Sequence, residues 1–189
     1  MNMTNKQMLP EEIVTERLKL RPFRFSDVQE VFAYLQEPDM GRFLEGSPSP
    51  PTEAETARII ARHILVDREH RNVWAITIGD LPVGGISINF VKEHRIAEIG
   101  YSVKKALWGQ GFAGEATKAV NDAAFETCPD LQRVQANIHP QNEGSIRVAK
   151  RVGMEYEGTL RSYSYVKNEV ADEVVYAIVR NEWLTTKGR

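Results

Sequence analysis

The chain has 189 residues, of which 42% are hydrophobic and 26% charged, which is the size and composition of one soluble domain. A net charge of −2 gives no general attraction to nucleic acid or to an acidic membrane, and no apolar run approaches the ~18 residues of a membrane-spanning helix. The single cysteine, Cys128, excludes an intrachain disulfide and favours a reducing cytoplasm.

The first half of the chain predicts one strand, two helices and three further strands. Polar residues 1–12 indicate a flexible N-terminal tail before a single domain at 13–189, and alternation predicts a strand over 15–21. Ser26 is expected to cap a helix that ends near Pro38, and Thr52 with Glu55 forms a capping box that starts another. Strands follow at 73–78, 83–91 and 95–103, with turns at 79–82 and 92–94.

The second half predicts a helix over 115–126, a strand over 133–139, and a short helix that Asn142 caps and Gly153 ends. Strands 156–166 and 170–180 close the chain as a hairpin that turns at 167–168. Short connections make the three-strand block antiparallel, whereas the strand–helix–strand unit over 95–139 requires a parallel crossover. The prediction is an α/β fold of mixed α+β kind, with a mostly antiparallel sheet of about seven strands, a central parallel pair and about four helices on both faces.

A glycine-rich turn before the helix over 115–126 is the most informative motif. It reads Trp108-Gly109-Gln110-Gly111-Phe112-Ala113-Gly114. Glycines at a helix start leave the first amides uncovered, those amides have no partner within the helix, and the macrodipole adds partial positive charge. The turn therefore predicts a binding site for a phosphate-bearing ligand.

Two common nucleotide-binding motifs fit this turn poorly. The spacing Gly109-x-Gly111-x-x-Gly114 matches the dinucleotide fingerprint, which also needs a strand directly before the first glycine and an acidic residue ~20 positions later. Here residues 104–108 intervene, and the next strand ends at Ile138-His139 without an acid. A Walker A loop would need Gly-Lys-Ser/Thr after its glycines, and the turn has no such tripeptide.

The order of elements, together with several motifs, resembles the GNAT acyl-CoA N-acyltransferases, and more narrowly their RimJ/RimL branch, over residues 15–183. Residues 108–113 match the family's phosphate loop, Arg/Gln-x-x-Gly-x-Gly/Ala, with the tryptophan that this branch often carries first. The other matching motifs are Thr15-Glu16-Arg17-Leu18-Lys19-Leu20-Arg21, Ile99-Gly100-Tyr101, and Asn142-x-x-Ser145 leading to Gly153-Met154. The resemblance implies a three-layer GNAT-like fold and acetyl-CoA as cosubstrate.

The resemblance also implies which residues would bind acetyl-CoA. The backbone of the strand at 99–103 would pair with the pantetheine arm and polarise the thioester carbonyl, while amides of the glycine-rich turn would hold the pyrophosphate. Asn142 would contact the cofactor or hold Ser145, and Arg147 and Lys150 could reach CoA phosphates. The implied cofactor-binding residues are Ile99, Tyr101, Val103, Trp108, Gly109, Gln110, Gly111, Phe112, Ala113, Gly114, Asn142, Ser145 and Lys150.

Direct acyl transfer to an amine also requires a base and an acid. Glu98, on the strand that would face the cleft, is the first candidate base, although an exposed carboxylate on the sheet face is an equal alternative; Glu45 is a weaker candidate. Many GNAT enzymes use a tyrosine seven residues after the matched asparagine, and Ala149 stands there. The resemblance instead implies Ser145 as the acid, a residue that could also serve in the helix cap.

The sequence therefore predicts a cytoplasmic acetyl-CoA-dependent N-acetyltransferase that acts without a covalent acyl-enzyme. Its acceptor would be a primary amine, either a protein N-terminus, as on a ribosomal protein, or a small molecule. A non-catalytic acyl-CoA-binding or sensory domain is the alternative, and an NAD-dependent oxidoreductase is a third. No metal, nucleic-acid or membrane partner is expected, and exposed edge strands would permit a homodimer. The acceptor pocket is expected from the helices and loops of residues 27–72.

Overall fold

The computed structural model describes residues 8–43, 50–91, 95–166 and 169–187. Its strands are β1 (Ile13–Val14), β2 (Lys19–Arg21), β3 (Arg71–Ile78), β4 (Leu81–Val91), β5 (Ile96–Val103), β6 (Arg133–Ile138), β7 (Glu155–Val166) and β8 (Glu169–Val179). Its helices are α1 (Val28–Leu35), α2 (Glu53–Ile64), α3 (Phe112–Thr127), α4 (Glu143–Arg151) and α5 (Arg180–Lys187). The predicted mixed α/β class is confirmed, with one strand and one helix more in the described residues than the sequence indicated.

The strands form one sheet in the order β1-β2-β3-β4-β5-β6-β8-β7. Its neighbouring strands are antiparallel except for β5 and β6, which are parallel as predicted. The parallel register is short, running from Ile96↔Arg133 to Glu98↔Gln135. β5 and β6 are the two central strands. Over its full length β5 stays paired with β4 on its other side, and β6 likewise stays paired with β8. The two central strands therefore separate beyond Glu98, and the sheet opens there.

The sheet separates two apolar cores, because alternate residues of a strand point to opposite faces. On β3, Trp74 and Ile76 belong to the larger core, which contains Val120 of α3. The intervening Ala75 belongs to the smaller core, which contains Ile60 of α2. Helices α3 and α4 thus cover one face and α1 and α2 the other, which is the expected three-layer arrangement.

Two expectations about the first elements are wrong. Of the predicted strand over 15–21 only β2, at 19–21, forms, because Leu18 N–H donates to Thr15 Oγ1 at 3.0 Å in a turn that separates β2 from β1. Ser26 does not begin a helix; it lies inside a 3₁₀ turn, Phe25–Asp27, that precedes α1. In that turn the Asp27 carboxylate accepts from Arg24 N–H at 2.8 Å. The capping box of Thr52 and Glu55 at the start of α2 is confirmed.

Helix α5 was not expected from the sequence. Within it only Trp183 is buried, so the segment lacks the repeated apolar positions that indicate an amphipathic helix. Trp183 stacks on Phe125 with ring centroids 5.1 Å apart, and its indole N–H donates to Asp122 Oδ1 at 2.7 Å. Contacts with α3 therefore fix α5, rather than a local sequence signal.

Part of the predicted tail, 1–12, lies against the domain. Leu9 is 3% exposed, and its carbonyl accepts a hydrogen bond from Arg68 at 3.0 Å. The indole N–H of Trp74 donates to the Glu11 carbonyl at 3.0 Å. Residues 9–11 are thus held in place, while the boundary at residue 12 stays a prediction. The turns at 92–94 and 167–168 lie outside the described residues.

Candidate active site

Backbone hydrogen bonds show which residues of β5 face the opening in the sheet. Lys104 N–H donates to Val83 on the β4 side at 2.8 Å, whereas the Arg95 carbonyl accepts from Gln132 on the β6 side at 2.8 Å. Because the direction of these groups alternates along a strand, the odd-numbered residues of β5 direct their N–H and C=O groups toward β6. Beyond the last parallel pair, those groups point into the opening.

Three predicted residues, Ile99, Tyr101 and Val103, have this orientation. Ile99 lies at the inner end of the opening, directly after the last register pair. Tyr101 and Val103 lie further out, where the strands have separated. The Val103 carbonyl accepts a 2.6 Å hydrogen bond from the indole N–H of Trp108. Trp108 thus occupies one of the backbone groups that were expected to meet a ligand and fixes the start of the glycine-rich turn.

The opening continues into a cavity of about 1520 Å³ that passes through the sheet. Ile99 and Ala136, whose side chains point toward α3 and α4, line this cavity. So do Ser87 of β4, Gly100 of β5 and Asn137 of β6, which occupy the opposite face of the sheet. One continuous space therefore joins the start of α3 with the region beneath α1 and α2.

The start of α3 has the geometry of an anion site. Gly111 is the N-cap residue and has a positive φ of 84°, a conformation that glycine adopts without strain. The first helical hydrogen bond is from Glu115 N–H to the Gly111 carbonyl, at 3.0 Å. The amides of Phe112, Ala113 and Gly114 precede that bond and have no partner within the helix. Their residues line the cavity.

Two arginines flank this helix start. A Cβ added to Gly111 would lie 3.4 Å from a terminal nitrogen of Arg17 and 3.8 Å from one of Arg151. Arg17 donates to both the Gln110 carbonyl, at 3.0 Å, and the Glu115 carboxylate, at 2.6 Å. Arg151 lines the cavity. Neither was singled out from the sequence as a phosphate ligand, although Arg151 follows Arg147 by four residues and so shares its helix face.

Two of the predicted side-chain contacts lie outside the cavity. The side-chain amide of Gln110 donates to the Ala106 carbonyl at 3.0 Å. Lys150 is exposed and, within the described residues, does not line the cavity. Arg147 does line it, and pairs with Glu143 at 3.2 Å. The positive charges that α4 presents to the cavity are therefore those of Arg147 and Arg151.

Ser145 is held from two directions. Its N–H donates to Asn142 Oδ1 at 3.1 Å, which confirms Asn142 as the N-cap of α4. Its carbonyl accepts from the Tyr101 hydroxyl at 3.1 Å. Burial raises the pKa of Tyr101 far above its usual value, so this hydroxyl remains a neutral donor. Ser145 lies in the cavity wall, beside the opening between β5 and β6.

The candidate bases are placed differently from what the sequence suggested. Glu98 is half-buried at the last paired position of β5, where its Oε1 accepts from Gln135 at 3.1 Å, and it is not part of the described cavity wall. Glu173 of β8 lines the cavity. His139 also does, and its Nδ1 accepts a hydrogen bond from Gln141 N–H at 3.2 Å. Glu45 lies outside the described residues.

Two further properties concern ligands and membranes. Across the described ranges, His, Cys, Asp and Glu side chains nowhere gather in groups of three or more that could bind a metal ion. In the same ranges no helix has both the length and the apolar character to cross a membrane.

The fold and this site define the class of protein. The family model for the acetyltransferase (GNAT) domain matches residues 17–155. The chain therefore belongs to the GNAT acetyltransferase family and is an acetyltransferase. This confirms the resemblance inferred from the glycine-rich turn, and ribosomal-protein N-acetyltransferases among its relatives support the RimJ/RimL-like branch.

Similarity to individual proteins extends over most of the chain. The protein named Uncharacterized N-acetyltransferase YnaD, of Bacillus subtilis (strain 168), is 30% identical over 90% of this chain and 98% of its own. A GNAT-family acetyltransferase structure from Bacillus anthracis is 26% identical, with a TM-score of 0.80 over 90% of this chain and 99% of that one. RimL, a ribosomal L7/L12 alpha-N-protein acetyltransferase solved with coenzyme A, shares the fold at 20% identity, with a TM-score of 0.77 over 91% and 97% of the two chains.

Proposed function

We propose that this acetyltransferase moves an acetyl group from acetyl-CoA directly to a primary amine. The observation that carries the proposal is the cavity that passes through the sheet between β5 and β6. It gives a thioester bound at the start of α3 a path to an amine that enters beneath α1 and α2. The RimL structure of the same fold, which contains coenzyme A, supports this cosubstrate.

The cofactor would be bound mainly by backbone groups. The amides of Phe112, Ala113 and Gly114 are available for the pyrophosphate, and Arg151 adds a positive charge beside them, whereas the charge of Arg17 is paired with Glu115 at 2.6 Å. Pantetheine amides would hydrogen-bond to the backbone groups of β5 that point into the opening between β5 and β6. The pantetheine arm would thus lie beside β5 as an additional short strand. The carbonyl of Val103 already accepts a hydrogen bond from Trp108, which leaves it one lone pair for this pairing.

In the proposed reaction the amine nitrogen attacks the thioester carbon, a C–N bond forms and the C–S bond breaks. A base accepts the proton lost by the amine, and the departing thiolate takes a proton from an acid. Ser145 is the proposed acid, since it lies in the cavity wall and two hydrogen bonds hold its backbone. Glu98 is the proposed base, acting through a water molecule because it lies outside the wall. Glu173 is the second candidate.

The acceptor is either a protein N-terminus or a small-molecule amine. The naming of RimL as a ribosomal alpha-N-protein acetyltransferase supports the first, and the end of the cavity beneath α1 and α2 supports the second. We propose a cytoplasmic location on the sequence features already described, and a homodimer remains compatible with the exposed edge strand β7.

The experiment is thiol release from acetyl-CoA with a panel of amines and N-terminal peptides. Ser145→Ala should lower kcat about 100-fold with little change in the KM for acetyl-CoA, as expected for loss of a general acid. Ser26→Ala, an exposed serine in the turn before α1, is the matched control. The pH dependence of kcat/KM is then measured for Glu98→Gln and Glu173→Gln. The variant that loses the fall in activity at acid pH identifies the base. Tight CoA binding without thiol release for any acceptor would contradict the proposal and favour a non-catalytic role.

A further inference from the structure

The end of the cavity beneath α1 and α2 has features that the transfer chemistry does not use. Its wall is apolar and aromatic, and includes Phe23, Tyr34 and Val73. The half-buried His63 and three exposed arginines, Arg42, Arg62 of α2 and Arg71 at the start of β3, also line the cavity.

The charges at this end of the cavity are unbalanced. The carboxylate of Asp39, which lines the same region, is paired with Lys105 at 2.6 Å. Glu173, across the cavity, also has an interaction partner. Among the residues that the structure describes, no carboxylate lies within ion-pair distance of Arg62 or Arg71. Arg62 and Arg71 are exposed residues that line the cavity, and within the described ranges neither forms an ion pair.

His63 shows how strongly this region disfavours a further cation. Its ring is half-buried and packs against Phe23 with centroids 5.2 Å apart. Burial first, and then the positive charges of Arg71 and Arg62, lower the pKa of His63 to about 4. The imidazole is therefore neutral at physiological pH, and offers a hydrogen bond rather than a charge to a ligand.

We infer that the acceptor amine carries an anionic group, a carboxylate or a phosphate, which Arg62 and Arg71 bind while the amine reaches the opening between β5 and β6. Planar guanidinium groups pair with either anion through two parallel hydrogen bonds. A polyamine would instead bring positive charge to a region that already holds unpaired cations. This inference rests on the proposed function, since it names the kind of amine that the same cavity accepts.

The two sources of such an anion are a free small molecule and an acidic side chain next to a protein N-terminus. Thiol release from acetyl-CoA is measured with matched pairs of an anionic acceptor and its neutral counterpart, and the rates are compared per unprotonated amine. The pairs are L-alanine with L-alaninamide, O-phosphoethanolamine with ethanolamine, and peptide amides that begin Ser-Glu with those that begin Ser-Gln. Spermidine is the cationic comparison. The pair in which the anionic member is preferred most strongly shows whether the anion belongs to a small molecule or to a protein N-terminus.

For the preferred pair, we expect the anionic member to have at least about tenfold higher kcat/KM than its neutral partner, since a hydrogen bond to a charged group is worth about that factor. Arg62→Gln and Arg71→Gln should each raise the KM for that acceptor about tenfold and leave the KM for acetyl-CoA unchanged. Arg58→Gln, an exposed arginine on the same helix outside the described cavity wall, should change neither.

The outcomes separate the two proposals. If amines are acetylated but neutral or cationic acceptors match the anionic ones, or the preference survives in the Arg62→Gln, Arg71→Gln double variant, the inference is wrong and the proposed function stands. If no acceptor releases thiol, the proposed function fails and the inference with it. An unchanged KM for acetyl-CoA in each variant shows that the fold is intact.

Discussion

The glycine at the start of α3 provides the sharpest test of the cofactor site. Gly111→Ala introduces a side chain at a residue whose φ is 84°, a left-handed conformation that costs a non-glycine residue about 1–2 kcal/mol. The added Cβ would also lie 3.4 Å from a nitrogen of Arg17 and 3.8 Å from one of Arg151. Both distances are ordinary contacts with flexible side-chain ends, so the change acts through the backbone that presents the first amides of α3.

The backbone cost can be separated from the effect on binding with Gly79→Ala. Gly79 also has a positive φ, of 62°, but its added Cβ would have no heavy atom within 4 Å, and Gly79 is not part of the described cavity wall. For a chain of this size, 1–2 kcal/mol corresponds to a fall in Tm of about 2–8 °C. Both variants should show a fall in this range by calorimetry or circular dichroism.

Only Gly111→Ala should weaken cofactor binding. We expect its Kd for CoA, measured by isothermal titration calorimetry, to rise about tenfold or more, which is the value of one lost hydrogen bond to a charged group. The Gly79→Ala variant should bind CoA as the parent chain does. Equal Kd values for all three proteins would refute the assignment of the α3 amides to the pyrophosphate, whatever the Tm values were.

Three further changes test the remaining interactions. Asp27→Asn should lower the free energy of unfolding by about 2 kcal/mol in urea titrations, because the Arg21 guanidinium, 1% exposed, loses its two-pronged carboxylate partner and keeps only the ion pair with Asp80; a loss below 1 kcal/mol would contradict this. Arg151→Gln should raise the KM for acetyl-CoA several-fold, whereas Lys150→Gln should not, and equal effects would remove Arg151 from the site. Burial opposes ionisation of Glu115, but hydrogen bonds from Thr15 and Arg17 outweigh burial and hold the pKa of Glu115 below its usual value of 4.5. The ionised Glu115 therefore stabilises the fold fully above pH 4.5, and this contribution to the free energy of unfolding is lost as the pH falls through the folded-state pKa. The stability difference between the parent chain and Glu115→Gln should disappear in acid, and a difference that persists at pH 2 would contradict this assignment.

Local sequence patterns predicted most of the helix starts and strands, because the interactions that determine them span only a few residues. The capping box at Thr52 and Glu55 and the cap at Asn142 are both formed between residues three apart. The glycine-rich turn before α3 depends equally on local backbone conformation. The same locality explains the errors: Ser26 resembled a cap, but the buried carboxylate of Asp27 pairs with Arg21 in the preceding strand and sets a different turn.

The sequence by itself determined the class of fold, the position of the glycine-rich turn for which phosphate binding is proposed, and the GNAT family. The tertiary structure decided which side chains meet there. Arg17 and Arg151 are far apart in the chain and converge on Gly111 only when the β1–β2 turn and α4 pack beside α3. Arg62 and Arg71 likewise share a cavity with Ser145 only because the central strands separate beyond Glu98. Such long-range contacts leave no periodic signal in the chain, since periodicity records which face of an element is buried and not what that face contacts.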